Sequence, residues 1–427
     1  MFLEVIFHQV TTKRHLMNWP VIMFNAARRK IGSTWEKNGP DIRAAFSGTL
    51  PGSLRTTGED PEGEIPVFVF HSVEAARFEE QLRYLAKNGY TTLDAGELVA
   101  ALQGGTRVGQ RTVALTFDDA PGSFWAVAFP LLKKYGFRAI LFAISGLVPD
   151  DDHLYPNLED VWRGQATYEE IANRECIQPL CTWSELLNMH QSGVVDIQSH
   201  SLTHARINVS GKVVDFIHPR FNTYSFENVS IPISRNDSVE RPLRRVRLGE
   251  PVYESASRLS GRPRFLEDSR ISEKLVQYVE HEGGTAFFAR FNWRGELYRK
   301  YHSLIEDPRI QTEYETPQQT ERATRLELLY SRELLEERLP GKTIQHLCYP
   351  WFQGSSLADR IAGECGYRSI FYGLESGAND ESKALPLKIR RVSEEYFFCL
   401  PGQGRRSMSS VWTKRISRLA RGSTWKR

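Results

Sequence analysis

The stretch VALTFDDAPGSFW, Val113 to Trp125, decides how this chain folds. A run of buried-strand type, VALTF, ends on two adjacent aspartates, Asp118 and Asp119, and a turn follows. Two carboxylates side by side repel, and burying either costs free energy unless a cation sits with them. Asp and Pro are also common in solvated turns. The pair therefore acquires meaning only from the rest of the chain.

Around it, strand-type runs alternate with helical ones. IPVFVFH, Ile65 to His71, is a strand. In EAARFEEQLRYLAKNGY the apolar Ala76, Phe78, Leu82, Leu85 and Ala86 keep helical spacing, and Asn88-Gly89 stops the helix. YTTLD is a short strand, AGELVAALQGG a helix and TVALTF a strand. FWAVAFPLLKKYGF is helical, with Pro130 kinking or starting it. RAILFAIS is a strand, TWSELLNMHQSG a helix with Thr182 as N-cap, and VVDIQSH a strand. Such alternation predicts βα units around a parallel sheet or barrel. Working residues in those folds gather at the carboxyl ends of strands. His71, Asp118, Asp119, Ser199 and His200 all take that position.

The rhythm breaks over residues 209–319, which are rich in Pro and Arg and poor in helical period, and then returns. ERATRLELLYSRELLEERLPG reads as a long helix, TIQHLCYPW as a strand, SLADRIAGECGY as a helix and RSIFYG as a strand. Residues 209–319 thus read as an insertion with structure of its own, since a structureless loop of that length is rare inside a domain. The expected organisation is an N-terminal extension, partly linker, over 1–64, one domain from 65–208 and 320–400, the insertion at 209–319, and a basic tail at 401–427. In that tail Trp412, Ile416 and Leu419 fall at i, i+4 and i+7 among Lys and Arg. A short basic amphipathic helix on an anionic membrane surface is one reading, and a solvated tail is the other.

Composition narrows the class. With 41% hydrophobic and 25% charged residues the chain is globular rather than disordered. A net charge of +3 is too small to call for nucleic acid. The five cysteines show no C-x-x-C spacing and fit a reducing compartment. No apolar run approaches the roughly 20 residues of a membrane span. The expected location is the cytoplasm, extending to the inner face of the membrane.

Two further stretches carry chemistry. In DIQSHSLTHARI, His200 and His204 lie four apart at a strand exit, where a helical turn would put both imidazoles on one face. Two histidines and one aspartate with an open position make a catalytic zinc-type set. One Asp of the pair completes it, and the other is free to take a proton from activated water. The cation also offsets the cost of the paired carboxylates. Zinc leads, although cobalt, nickel and manganese suit the same donors. In LCYPWFQGS, a turn after a proline can offer a backbone N–H to an oxyanion, and Trp351 an apolar wall for a sugar ring or acetyl methyl.

These pieces together resemble the polysaccharide deacetylase family (NodB homology, carbohydrate esterase family 4). TFDDA is similar to its first motif, T-F-D-D-G; HSLTH matches its second, H-[ST]-x-x-H; CYPW is similar to its third, R-x-P-[YW]. The resemblance covers roughly residues 65–208 and 320–395. It implies an α/β fold, a distorted (β/α) barrel carrying the large insertion, and hydrolysis of N-acetyl, less often O-acetyl, groups on sugars. Carried over, Asp118 is the general base, and Asp119, His200 and His204 hold one divalent metal ion. The backbone N–H of Trp351 is the oxyanion donor, and Tyr349, Pro350 and Trp351 line the substrate site.

The chain departs from the pattern at Ala120, which replaces a glycine, and at Cys348, which replaces the arginine that orients the base. The fifth motif's histidine, the usual general acid, is unmatched: LPLKIRRVS puts Arg390 and Arg391 there. The fourth motif is unmatched unless Asp380 serves. His71 and His346 are the candidate acids by strand position. The implied substrate is an acetylated carbohydrate, such as a lipid-linked precursor. The competing readings are a decayed carbohydrate-binding or scaffold protein and a related hydrolase on a non-sugar amide.

Overall fold

Eight strands, every neighbouring pair parallel, make the central sheet of the computed structural model. The structure describes residues 51–55, 64–221, 247–373 and 386–420. The strands of this sheet are β1 (Val67–Phe70), β3 (Thr112–Phe117), β4 (Ala139–Ala143), β5 (Val195–Ser199), β10 (His346–Cys348), β11 (Ser369–Tyr372), β12 (Leu387–Arg390) and β13 (Val392–Ser393). A short β2 (Thr91–Thr92) adds to β3. The order is β12-β11-β10-β5-β4-β3-β1-β13. Its two ends, β12 and β13, are neighbours in the chain with only Arg391 between them. A sheet whose opposite edges are one residue apart must curl until they meet. The result is the nearly closed (β/α) barrel that the motif pattern implies.

The local sequence explains the elements. All residues of β3 and β4 are buried, as a parallel sheet covered on both faces requires. Helix Ala75–Lys87 starts at Glu74, whose carboxylate caps the N–H groups of Ala76 and Arg77, and it buries Phe78, Leu82 and Leu85. Thr182 caps helix Trp183–Gln191 in a reciprocal pair with Glu185. The helix expected over FWAVAFPLLKKYGF is a wide turn, Phe124–Ala128, running into helix Phe129–Tyr135. Pro130 sits in the first turn of that second piece, where its missing N–H costs nothing.

Outside the barrel sheet, β6 (Arg206–Phe216) and β7 (Pro251–Ser257) form an antiparallel pair. Another short pair joins β8 (Phe265–Leu266) and β9 (Glu313–Tyr314). With helices Ser269–His281 and Trp293–Ile305 they enclose a core that includes Phe216, Leu275, Val279 and Leu297. Helix Pro317–Arg338 then brings the chain back to the barrel. Helix Met408–Ala420 docks on residues 394–399 through the Arg415–Glu395 ion pair. Among the described residues no helix is long and apolar enough to cross a membrane. Residues 1–50, Asp380, and the side chains of Ile416 and Leu419 lie outside what the structure describes.

Candidate active site

The loops after β3, β5 and β10 meet at the carboxyl end of the barrel, and their backbone is strained. Six described non-glycine residues have positive φ: Asp119, Ala120, Ser201, His204, Trp351 and Phe352. All of them lie in these three loops. A left-handed conformation costs an L-residue about 1 kcal/mol or more, and such strain clusters where function over-determines the structure. Ala120, with φ of 56°, occupies the place of the motif's glycine, which is the residue that this backbone favours.

Asp119, His200 and His204 converge. Asp119 Oδ1 lies 3.4 Å from His200 Nε2 and 3.6 Å from His204 Nε2. Donor atoms on a tetrahedral ion with bonds of about 2.1 Å stand about 3.4 Å apart, so the spacing already suits one. His200 Nδ1 is 3.0 Å from the Cys348 carbonyl oxygen. A proton on Nδ1 donates there, which leaves the Nε2 lone pair facing Asp119. Asp119 Oδ1 is buried without a hydrogen-bond partner. An orphaned carboxylate oxygen between two imidazoles is the signature of a cation-binding group. The three residues therefore fit a divalent ion.

Electrostatics agrees. Burial pushes the Asp119 carboxyl up, but the adjacent imidazoles of His200 and His204 hold it well below the usual range. Burial drives His204 down to about 3, against the pull of Asp119. Burial also pulls His200 down, yet Cys348, Asp118 and Asp119 around it outweigh this and leave it raised.

Asp118, buried beside this set, is clamped by Arg391. Its Oδ1 accepts from Arg391 Nη1 at 2.6 Å and its Oδ2 from Nη2 at 2.8 Å. Arg391 also donates to Thr116 Oγ1 and lies over the rings of Phe142 and Phe352. The arginine missing at Cys348, whose Sγ is 3.6 Å from Asp118 Oδ1, is thus supplied from the joint between β12 and β13. Burial raises the Asp118 pKa, while Arg391 and His200 pull it below the usual value. Sequence reasoning saw Arg391 only as the lost histidine of the fifth motif. The usable signal was the substitution at Cys348, since a buried base stripped of one cation requires another.

The two candidate acids separate. His71, at the exit of β1, is exposed, and its charge acts on Asp118, Asp119 and His204. His346 opens β10, is buried, and its Nδ1 is 2.8 Å from Ser369 Oγ. Burial lowers it to about 4, and the charges that act on it are Asp196, Lys342 and Arg368. His346 is a sheet residue, and that corrects its candidacy.

In the third loop, Trp351 Nε1 donates to the His204 carbonyl at 3.2 Å, and the two rings are 4.7 Å apart. Arg206 also lies over the Trp351 indole, 5.1 Å from the ring centre. Tyr349 is buried and its hydroxyl donates to Asp359 at 2.7 Å, and Pro350 is buried too. Of these three, Trp351 alone is partly exposed. The unforeseen Phe352 is exposed next to it.

Residues 105–237 match the family model described as polysaccharide deacetylase. This region belongs to the polysaccharide deacetylase family. The match takes in Asp118, Asp119, His200 and His204. Among curated relatives, the deacetylase-named protein YxkH of Bacillus subtilis (strain 168) is 26% identical over 153 residues, 34% of this chain and 45% of that protein. The poly-beta-1,6-N-acetyl-D-glucosamine N-deacetylase of Escherichia coli (strain K12) is 28% identical over 132 residues, 31% of this chain and 18% of its own length. The chain spans less than half the length of the curated relatives it matches. A solved de-N-acetylase from Aggregatibacter actinomycetemcomitans aligns at a TM-score of 0.45 and 14% identity, covering 82% of this chain and 98% of that one.

Proposed function

We propose that the protein is a metal-dependent hydrolase that removes N-acetyl groups from a sugar, acting on a polysaccharide or glycolipid precursor. The observation that carries this reading is the set Asp119, His200 and His204 with its buried, orphaned carboxylate oxygen, adjacent to the clamped Asp118. A divalent ion held by that set, zinc first, would supply Lewis acidity to the acetyl carbonyl and to water.

The chain's own groups do the rest. Asp118 accepts the proton of the attacking water at a carboxylate oxygen. Arg391 keeps that carboxylate ionised and fixed in direction. The backbone N–H of Trp351 donates to the carbonyl oxygen as it gains charge. His71 gives its proton to the departing amine. The Trp351 indole offers the sugar ring an apolar wall. Three of the curated relatives are named for N-acetylglucosamine polymers, which favours an N-acetyl over an O-acetyl substrate.

A decayed, purely carbohydrate-binding site is the weaker reading. Its motive was the loss of the arginine and the histidine; Arg391 clamps Asp118, and His71 lies at the exit of β1. Cytoplasmic residence at the inner membrane face, with helix Met408–Ala420 as the contact, belongs to the same proposal. Deleting residues 408–427 should then release the protein from membranes in fractionation; identical behaviour of both forms would reject that part.

The test is elemental analysis together with acetate release from N-acetylglucosamine oligomers. About one divalent ion per chain, lost in a His200→Ala, His204→Ala double variant along with acetate release, is expected. No bound ion after reconstitution would overturn the reading.

A further inference from the structure

We propose that Glu327 sets the spacing of the two histidine ligands, as a positioning residue reached from the far side of the insertion. This rests on the reading of Asp119, His200 and His204 as metal ligands. Glu327 lies on helix Pro317–Arg338 and is buried. Its Oε2 accepts from the backbone N–H groups of Leu202 and Thr203, each at 3.0 Å, and its Oε1 accepts from the Thr203 hydroxyl. Leu202 and Thr203 are two of the three residues between His200 and His204.

One turn along the same helix, Ser331 Oγ is 2.8 Å from Ser199 Oγ and 2.9 Å from Ser145 Oγ. Two residues spaced i and i+4 on one helix thus grip the chain on both sides of His200. The loop needs a grip, because Ser201 and His204 are left-handed and would relax if released. Within it, His204 N–H donates to Ser201 Oγ at 3.1 Å, and Gly146 N–H donates to the Leu202 carbonyl at 2.8 Å. Two consecutive N–H groups converging on one carboxylate fix the peptide planes of Leu202 and Thr203. Those planes determine where the imidazoles stand, with ring centroids 4.9 Å apart. Glu327 touches no ligand atom and acts through the loop.

The experiment is a cobalt(II) titration of the full chain, followed by visible absorption, for wild type, Glu327→Met and Glu327→Gln. Methionine keeps the bulk and accepts nothing from the two N–H groups. Glutamine can accept both on its amide oxygen and donate to the Thr203 hydroxyl. The expected result is cobalt binding about 10–100-fold weaker in Glu327→Met, with an altered band, and within about threefold of wild type in Glu327→Gln. Wild-type affinity and spectrum in Glu327→Met would overturn the proposal.

A control, Leu275→Ala in the insertion core, should lower the melting temperature and leave cobalt affinity alone. If it weakens binding as much as Glu327→Met does, the effect is general destabilisation and the proposal fails. If Glu327→Met does not fold, Thr203→Val takes its place, and wild-type affinity there overturns the proposal. Wild-type protein that binds no cobalt would instead overturn the metal-site reading itself, so the two failures are distinguishable.

Discussion

Two half-buried aspartates, near opposite ends of the barrel strands, are held in opposite ways. Asp196, the second residue of β5, has both oxygens engaged. Its Oδ2 accepts from Ala95 N–H at 2.9 Å, and its Oδ1 accepts from Gln198 Nε2 at 2.8 Å and pairs with Lys342. Asp119 keeps an orphaned oxygen between two imidazoles, on a backbone with φ of 70°. A buried carboxylate with its full complement of partners fastens a fold. One left short of a partner, on strained backbone, is arranged for something that binds.

The strongest way to break this contrast is to neutralise each aspartate. Asp119→Asn should lose the bound metal and lower the stability of the metal-free protein less than Asp196→Asn does. Asp196→Asn should keep the metal and lose about 3 kcal/mol of stability in denaturant unfolding, because Lys342 loses its partner. A swapped outcome would end the distinction. Next in size, Asp118→Asn should cut acetate release by about 10²–10⁴-fold at unchanged metal content, the range that a general base supplies. Normal turnover would remove Asp118 from the mechanism.

Arg391→Met sharpens the contrast by stripping the base of its cation. Asp118 is held low by Arg391 against burial, so its pKa should rise in the variant. The acid limb of the pH–rate profile then moves to higher pH, and the maximal rate falls about 10–100-fold. The stability change has a definite sign. In wild type the depressed Asp118 pKa contributes stability above the unfolded carboxylate value, and that contribution is lost as pH falls through the folded value. In the variant the raised pKa reverses this, and stability falls as pH rises. An unmoved acid limb would show that Arg391 serves packing alone.

Metal binding should be proton-linked through His200. Against burial, the charges of Cys348 and Asp118 raise its pKa, so an ion competes with a proton there. His204, near 3, adds no such competition. Calorimetry at pH 7 in two buffers of different ionisation enthalpy should show protons released on ion binding, with affinity weakening toward acid. The smallest effect is expected from Ala120→Gly, which relieves a left-handed alanine and should add up to about 1 kcal/mol of stability by denaturant unfolding.

The rhythm of strands and helices made the barrel legible, because each βα unit shows its period within a short window. Asp118, Asp119, His200 and His204 were legible because two short motifs carry them all. Arg391 was not, since its partner is 273 residues away and only barrel closure brings the two together. Glu327 was hidden for a related reason. An acid in a helix such as RLELLYSREL reads as a solvated residue, and only the packed helix turns it toward the Leu202–Thr203 turn. The third loop was half legible: Trp351 packs on His204, but the positive φ of Trp351 has no mark in the sequence.

The single residue between β12 and β13 has a consequence for how the chain is made. A ribosome delivers Asp118 early and the arginine that clamps it only near the end of synthesis. Burying that carboxylate is costly until the arginine arrives. Closure of the sheet and completion of the ion pair are therefore one event.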